Sequence, residues 1–380
     1  MKRLSKKPPY HVPSMTDIAR VPHNGYKAIS TFSGCGGSAL GYKMAGFRVL
    51  WASEFIPAAQ ETYRANHKDT ILDVRDIRQV KPEDILEAVH MRRGELDLLD
   101  GSPPCASFST AGKREQGWGK VKAYSDTKQR VDDLFFEFAR ILDGLQPRVF
   151  VAENVAGLVR GTAKGYFIEI LSALKSCGYR VKCKVLDAQW LGVPQTRVRT
   201  IFIGVRNDLG IDPVHPAPLP YRYTVRDALP WIVKAVQDHK GQFATQEASD
   251  KPVFCRASSA SQVYVEAESD ISRYCTGREW DKLAPGERSH RYINLIKAHP
   301  DKPVPTICAL HGSASGIASV THPTEKRKFS IAELKRLCGF PDDFILTGTY
   351  AQQWERLGRA VPPVMMFHIA AAIRDRILAP

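Results

Sequence analysis

The sequence predicts an α/β protein: a mostly parallel sheet covered by helices on both faces, with a smaller irregular domain attached. Three observations carry this. From about residue 27 to 206, short apolar runs alternate with helical periodicity, the pattern of strands joined by crossover helices. The helical stretches put their apolar residues on one face each, as helices laid on a sheet must. After 206 the character changes. Residues 207–325 are rich in Pro, Gly, Ser and His with no sustained helical period, and DPVHPAPLP (212–220) marks the entry.

Taken in order, residues 1–26 read as a flexible basic segment. Candidate strands follow at KAISTF (27–32), RVLWASE (48–54), LDLLDGS (96–102), RVFVAEN (148–154), RVKCKVLDA (180–188) and RTIFIGVR (199–206). Over 131–144, Leu134, Phe135, Phe138, Ile141 and Leu142 share a helix face, with Gly144 as the stop. Phe167, Ile170, Leu171 and Leu174 do the same before Gly178. Ser330-Ile-Ala-Glu333 spells a capping box for a helix ending near Gly339, and a terminal helix starts at Pro362-Pro363. The expected units are 27–206, 207–349 and a segment 350–380 that returns to the first.

The chain has 54 Lys and Arg against 40 Asp and Glu, a net charge of +14 that favours a polyanionic partner such as nucleic acid. No apolar run approaches the roughly 18 residues of a membrane span, and the basic start is followed by no signal-type apolar stretch. The eight cysteines are scattered, without the paired spacing of a zinc site, so no metal is expected and a reducing, cytoplasmic setting is the default.

Four places carry chemistry. The first strand runs into Phe32-Ser-Gly34-Cys-Gly36-Gly37 and then a helix, a turn that lets a ligand approach the backbone and the helix N-terminus. Glu54 ends the second strand 18 residues after Gly36, a spacing that suits a carboxylate accepting from ribose hydroxyls; a tight turn without ligand is the plain alternative. Gly101-Ser-Pro-Pro104-Cys105-Ala-Ser-Phe-Ser109 follows another strand. Two prolines fix the backbone before the thiol, and the flanking serines make a poor environment for a buried structural cysteine. Glu153-Asn154-Val155 follows the next strand, where a lone acid could equally serve a helix start. Finally, Gln195-Thr-Arg197-Val-Arg199 puts three polar side chains on one face of a strand, either a solvated edge or an anion-binding face.

In this order and spacing, FSGCGGSALGYKMAGF, Glu54, Asp76-Ile77, Pro104-Cys105, Glu153-Asn-Val, Gln195-x-Arg-x-Arg, RKFSIAELKRLCGFPDDF and GRAVPP resemble the motif series of the C5-cytosine DNA methyltransferases over about 28–206 and 303–370. The resemblance implies a Rossmann-like domain that binds S-adenosylmethionine and a target-recognition domain that reads double-stranded DNA. Phe32, Gly34, Gly36, Leu40, Glu54, Phe55, Asp76, Ile77, Pro104, Leu134, Arg359 and Val361 would line the cofactor. Cys105 would attack C6 of a flipped cytosine, Glu153 would act at N3, Arg199 would grip O2, and Arg197 would sit near the thiolate and a phosphate.

Residues 106–130 carry six Lys/Arg against two acids and would form a mobile loop closing on DNA. The region 206–327 is nearly balanced, 16 basic to 14 acidic, so recognition must rest on particular side chains. Arg273, Arg278, Arg288 and Arg291 are candidates for guanine edges, with Ser109, Gln195 and Thr306 as further DNA contacts. A monomer in the cytoplasm, associated with the nucleoid in a prokaryote, is expected, with a separate restriction endonuclease as a potential companion.

One residue departs from the family's pattern. The last motif, normally glycine-asparagine-alanine-valine-proline, has Arg359 in place of asparagine. A charge there would either pair with a local acid such as Glu355 or accommodate carboxy-S-adenosylmethionine, giving 5-carboxymethylcytosine. A catalytically inactive DNA-binding module and a tRNA cytosine-5 methyltransferase are the other readings. Intact Cys105, Glu153 and QxRxR oppose the first, and the absence of the RNA branch's cysteine-phenylalanine-threonine signature opposes the second. A nicotinamide dehydrogenase would explain only the glycine turn and Glu54.

Overall fold

A computed structural model describes residues 7–104, 122–124, 127–129, 133–159, 164–232, 236–237, 243–244 and 265–379. Cys105, Ser109 and most of the basic loop 106–130 lie outside the described residues.

Seven strands form one sheet: β1 Lys27–Thr31, β2 Arg48–Ser53, β3 Ile71–Asp73, β4 Leu98–Gly101, β5 Val149–Val155, β6 Tyr179–Asp187 and β7 Val198–Arg206, in the order β3-β2-β1-β4-β5-β7-β6. β1 to β5 pair in parallel, and only β7 runs against its neighbours. The order reverses between β1 and β4, which opens the crevice where α/β folds bind ligands at the carboxyl ends of strands. β3 was not expected from the sequence; three residues are too few to show a period.

The helices are α1 Met15–Ala19, α2 Gly37–Met44, α3 Pro57–Asn66, α4 Pro82–Ala88, α5 Leu134–Leu145, α6 Lys164–Ser176, α7 Val225–Ala228, α8 Cys275–Trp280, α9 Ile331–Leu337, α10 Tyr350–Arg359 and α11 Pro363–Ile373. None is long and apolar enough, among the described residues, to cross a membrane. In β5, Val149 and Val151 enter a core shared with α2 and α11, while Phe150 and Ala152 enter one shared with α5 and α6. Both sheet faces are thus covered, which explains the unbroken apolar run. Gly144 is not the stop of α5. The helix continues to Leu145 and ends on Gln146 in the left-handed region, and Gly144 is small because a Cβ there would lie 2.2 Å from Pro82 Cγ.

A third core holds the smaller domain. Val225, Leu229, Val304, Ile307, Phe329, Leu334 and Trp354 pack together with Cys35, Leu40 and Met44 of the first domain. α10 belongs to this cluster and α11 to the sheet, so the chain returns to the large domain near Val361–Pro363 rather than at 350. Two glycines of α2 permit that return: a Cβ on Gly37 would meet the Val361 carbonyl at 2.2 Å, and one on Gly41 would meet the Pro363 carbonyl at 2.6 Å. The N-terminal segment is not free from residue 7 onward. Tyr10 donates to the Arg336 carbonyl at 2.6 Å, Met15 N–H donates to Asp343 at 3.0 Å, Lys7 pairs with Asp227 at 2.6 Å, and Ile18 is buried.

Candidate active site

Four strand ends converge on the crevice. Phe32, at φ 53°, and Gly34, at φ 56°, turn the chain sharply after β1. The Gly34 N–H donates to Glu54 Oε2 at 2.7 Å, and Ile56 N–H donates to Glu54 Oε1 at 2.7 Å. Glu54 therefore ties the end of β2 to the glycine turn. Burial pushes its carboxyl above the ordinary value, offset in part by these N–H groups, by nearby Arg356 and by the Phe55 N–H.

The glycines divide their labour. A Cβ on Gly34 would meet no atom within 4 Å, so this side of the turn is open to a ligand. Gly36, at φ 90°, is different: a Cβ there would lie 2.2 Å from His67 Nε2, so its smallness accommodates the histidine. His67 is buried and stacked on Tyr63, and burial lowers its pKa to about 3, so it sits neutral beneath the turn. Leu40 has no exposed surface and packs in the third core; the structure makes it a packing residue rather than a cofactor contact.

The remaining candidate cofactor residues differ in exposure. Phe32 and Pro104 are half-buried and Phe55 is exposed. Ile77 and Leu134 are buried in the second core. Asp76 is half-buried, its carboxylate paired with Arg78 at 3.0 Å. Val361 is buried against Gly37. An open, left-handed Gly34 with a carboxylate beside it fits a nucleoside cofactor such as S-adenosylmethionine.

On the other side of the switch point, β4 ends in Gly101-Ser-Pro-Pro104. The Asn154 amide donates to the Pro103 carbonyl at 3.2 Å, fixing the proline turn that leads into Cys105. Beneath it, Asp100 is buried and accepts from Ser30 Oγ at 2.9 Å and Tyr42 OH at 3.0 Å. Burial raises its pKa to about 7 despite these bonds. Asn154 belongs to the Glu153-Asn154-Val155 motif, though its role in holding the proline turn is not readable there. Asp100 was not singled out from the sequence, its signal being position alone, a polar residue inside an apolar strand run.

Glu153 and Arg199 meet. In the antiparallel pairing of β5 with β7, Glu153 lies opposite Ile201 and Arg199 opposite Val155, so the two side chains are diagonal neighbours on one face. Arg199 Nε stands 2.7 Å from Glu153 Oε1, with both side chains nearly buried. A carboxylate and a guanidinium donor are thus held together on one face of the sheet.

Gln195 and Arg197 do other work than expected. Gln195 is fully buried, its amide donating to the Leu337 carbonyl at 3.3 Å while its oxygen accepts from Ile307 N–H at 3.3 Å. It has no surface for DNA. Arg197 is 2% exposed and donates to the carbonyls of Ile307 at 3.4 Å and Gly358 at 2.9 Å. Burial, with Arg199 alongside, lowers its pKa to about 9, and it cannot reach a phosphate from there. The two side chains clamp both ends of the Ile307 peptide unit's residue and stitch the small domain to the sheet. Thr306 gives its hydroxyl hydrogen to the Thr196 carbonyl and joins the same seam.

Arg273, Arg278, Arg288 and Arg291 are exposed; Arg278 contacts Cys275 Sγ at 3.0 Å and Arg291 lies over the Tyr292 ring at 5.4 Å. Arg359 pairs with Glu355 at 2.7 Å, one turn away on α10, and Glu355 also holds Arg356 at 3.0 Å.

Comparison with known proteins agrees with this geometry. The family profile of the C-5 cytosine-specific DNA methylases matches residues 26–375. The chain is 32% identical over 347 residues to the Type II methyltransferase M1.HphI of Haemophilus parahaemolyticus, covering 91% of this chain and 86% of that protein. It is 31% identical to M.NgoPII of Neisseria gonorrhoeae, covering 96% and 99%. Its fold matches a putative DNA modification methyltransferase encoded within an E. coli prophage at a TM-score of 0.68 and 23% identity, over 93% and 100% of the two chains. The chain belongs to the C-5 cytosine-specific DNA methylase family.

Proposed function

We propose that this chain transfers a methyl group from S-adenosylmethionine to C5 of a cytosine flipped out of duplex DNA. The pairing of Glu153 with Arg199 beside the Pro103–Pro104 turn is the observation that carries this reading. The Cys105 thiolate adds to C6 of cytosine, and the electrons of the C5–C6 bond become available at C5. Glu153 protonates or hydrogen-bonds N3 and so stabilises the adduct, while Arg199 holds O2. Once C5 carries the methyl group, a base removes the C5 proton, the double bond reforms and the thiolate leaves. The cofactor supplies a methyl group on an already activated sulfonium. Gly34, Glu54 and Phe32 would hold it. The named relatives are Type II methyltransferases, which supports a companion restriction endonuclease acting separately on the same sequence.

The finer question is the transferred group. A cation near a sulfonium is repelled by about 1 kcal/mol at 4 Å even in water. The Glu355–Arg359 pair offsets the Arg359 charge locally and favours ordinary S-adenosylmethionine over its carboxylated form. The test is nucleoside mass spectrometry of mixed-sequence duplex DNA incubated with the enzyme and either cofactor. We expect 5-methylcytosine, and an Arg359→Asn variant with an unchanged preference between the cofactors. 5-Carboxymethylcytosine from the wild type, lost selectively in Arg359→Asn, would instead assign the carboxylated cofactor. No modified cytosine with either would overturn the proposal.

A further inference from the structure

We infer that Leu310 is an apolar wedge that enters the DNA base stack when the target cytosine leaves it, an inference that rests on the function proposed above. A single exposed leucine is ordinary on a protein surface. Leu310 differs in what holds it. It is 69% exposed, yet its backbone sits in a short helical turn, Ala309–Gly312, fixed from every side. Trp354 Nε1 donates to the Cys308 carbonyl at 2.9 Å. Gly358 is small because a Cβ there would lie 2.6 Å from Ala309 Cα, and Gly312 is small because one there would lie 2.4 Å from Trp354 Cβ. Buried Lys328 donates from Nζ to the carbonyls of His311 at 2.5 Å and Ala314 at 2.6 Å. A large apolar side chain is thus held out into solvent by a rigid, fully buttressed turn, where it adds nothing to the core.

The turn is also continuous with the active site. It follows directly on Ile307, whose N–H is held by Gln195 and whose carbonyl is held by Arg197. Burial raises the pKa of the Cys308 thiol, and Arg197 and Arg199 lie close enough for their charges to offset part of that rise. Ile317 and Tyr274 are exposed as well, with the Tyr274 ring leaning on Gly316, where a Cβ would come within 2.7 Å. Cys308, two residues before Leu310, is within reach of the Arg199 charge that pairs with Glu153, and on this reading a duplex docked with its target base there presents its neighbouring bases to the turn. Apolar side chains inserted at a base step offset part of the unstacking cost.

The experiment uses the sequence found by mapping modified cytosines in DNA treated with the wild-type enzyme. Two duplexes carry it, one with the target cytosine opposite guanine and one with it opposite an abasic site, which removes the pairing that a wedge helps to break. Leu310→Ala should slow single-turnover methyl transfer about 10-fold on the paired duplex and by less than about 2-fold on the abasic one, while Leu310→Met stays near wild type on both. Equal losses on both duplexes, or no loss on the paired one, would overturn the wedge. Wild-type enzyme that leaves no modified cytosine to map would remove the function itself, and the wedge with it.

Discussion

Glu153→Gln lowers methyl transfer by about 10²-fold or more while cofactor and DNA binding persist, the usual scale for a lost proton donor. The substitution isolates the proton. Glutamine keeps the shape of the side chain, and its carbonyl oxygen can still accept from Arg199 Nε across the 2.7 Å contact seen for the carboxylate. What it cannot do is pass a proton to N3 of the base. Single-turnover rates and binding isotherms measured on the same duplex separate the two effects. Near-wild-type turnover at neutral pH would remove Glu153 from this role.

Arg197→Ala acts through the architecture instead. The guanidinium is 2% exposed and supplies donors to the Ile307 and Gly358 carbonyls, one in the small domain and one at the end of α10. Truncation leaves a cavity and two buried acceptors without partners, so a loss of about 3 kcal/mol and a fall in Tm of roughly 5 °C are expected. Because Ile307 leads into the Leu310 turn and Gly358 precedes the return to the glycine loop, activity falls too. Lysine should not rescue it, since a single ammonium cannot span both carbonyls as the planar fork does. A thermal scan with unchanged Tm would show that the seam does not depend on this residue.

The contrast between these residues shows what was legible in the sequence. Strand–helix alternation located six of the seven sheet strands and the ends of four of them that bear Phe32–Gly36, Glu54, Pro104 and Glu153, because each signal is local. The capping box Ser330–Glu333 announced α9, and the same spelling at Thr349–Gln352 caps α10, which went unread. Gln195 and Arg197 misled because period-2 spacing reports a shared face and not what covers it. Their partner, Ile307, lies 110 residues or more further along the chain. Gly144 misled for a related reason: it reads as a helix stop, whereas it makes room for Pro82; Gly36 does turn the chain, at φ 90°, and also makes room for His67. Arg359 was read as a departure with two outcomes, and its contact with Glu355 is the local one.

Covalent trapping tests the central claim most directly. In a duplex carrying 5-fluorocytosine at the target position, the C5 fluorine cannot be removed as a proton, so the thiol adduct formed on the way to product has no exit. With S-adenosylmethionine present, wild-type enzyme should give a protein–DNA complex that survives denaturing electrophoresis, and Cys105→Ser should give none. An adduct that persists in Cys105→Ser, or no adduct from wild-type enzyme on a sequence it methylates, would contradict nucleophilic attack by Cys105.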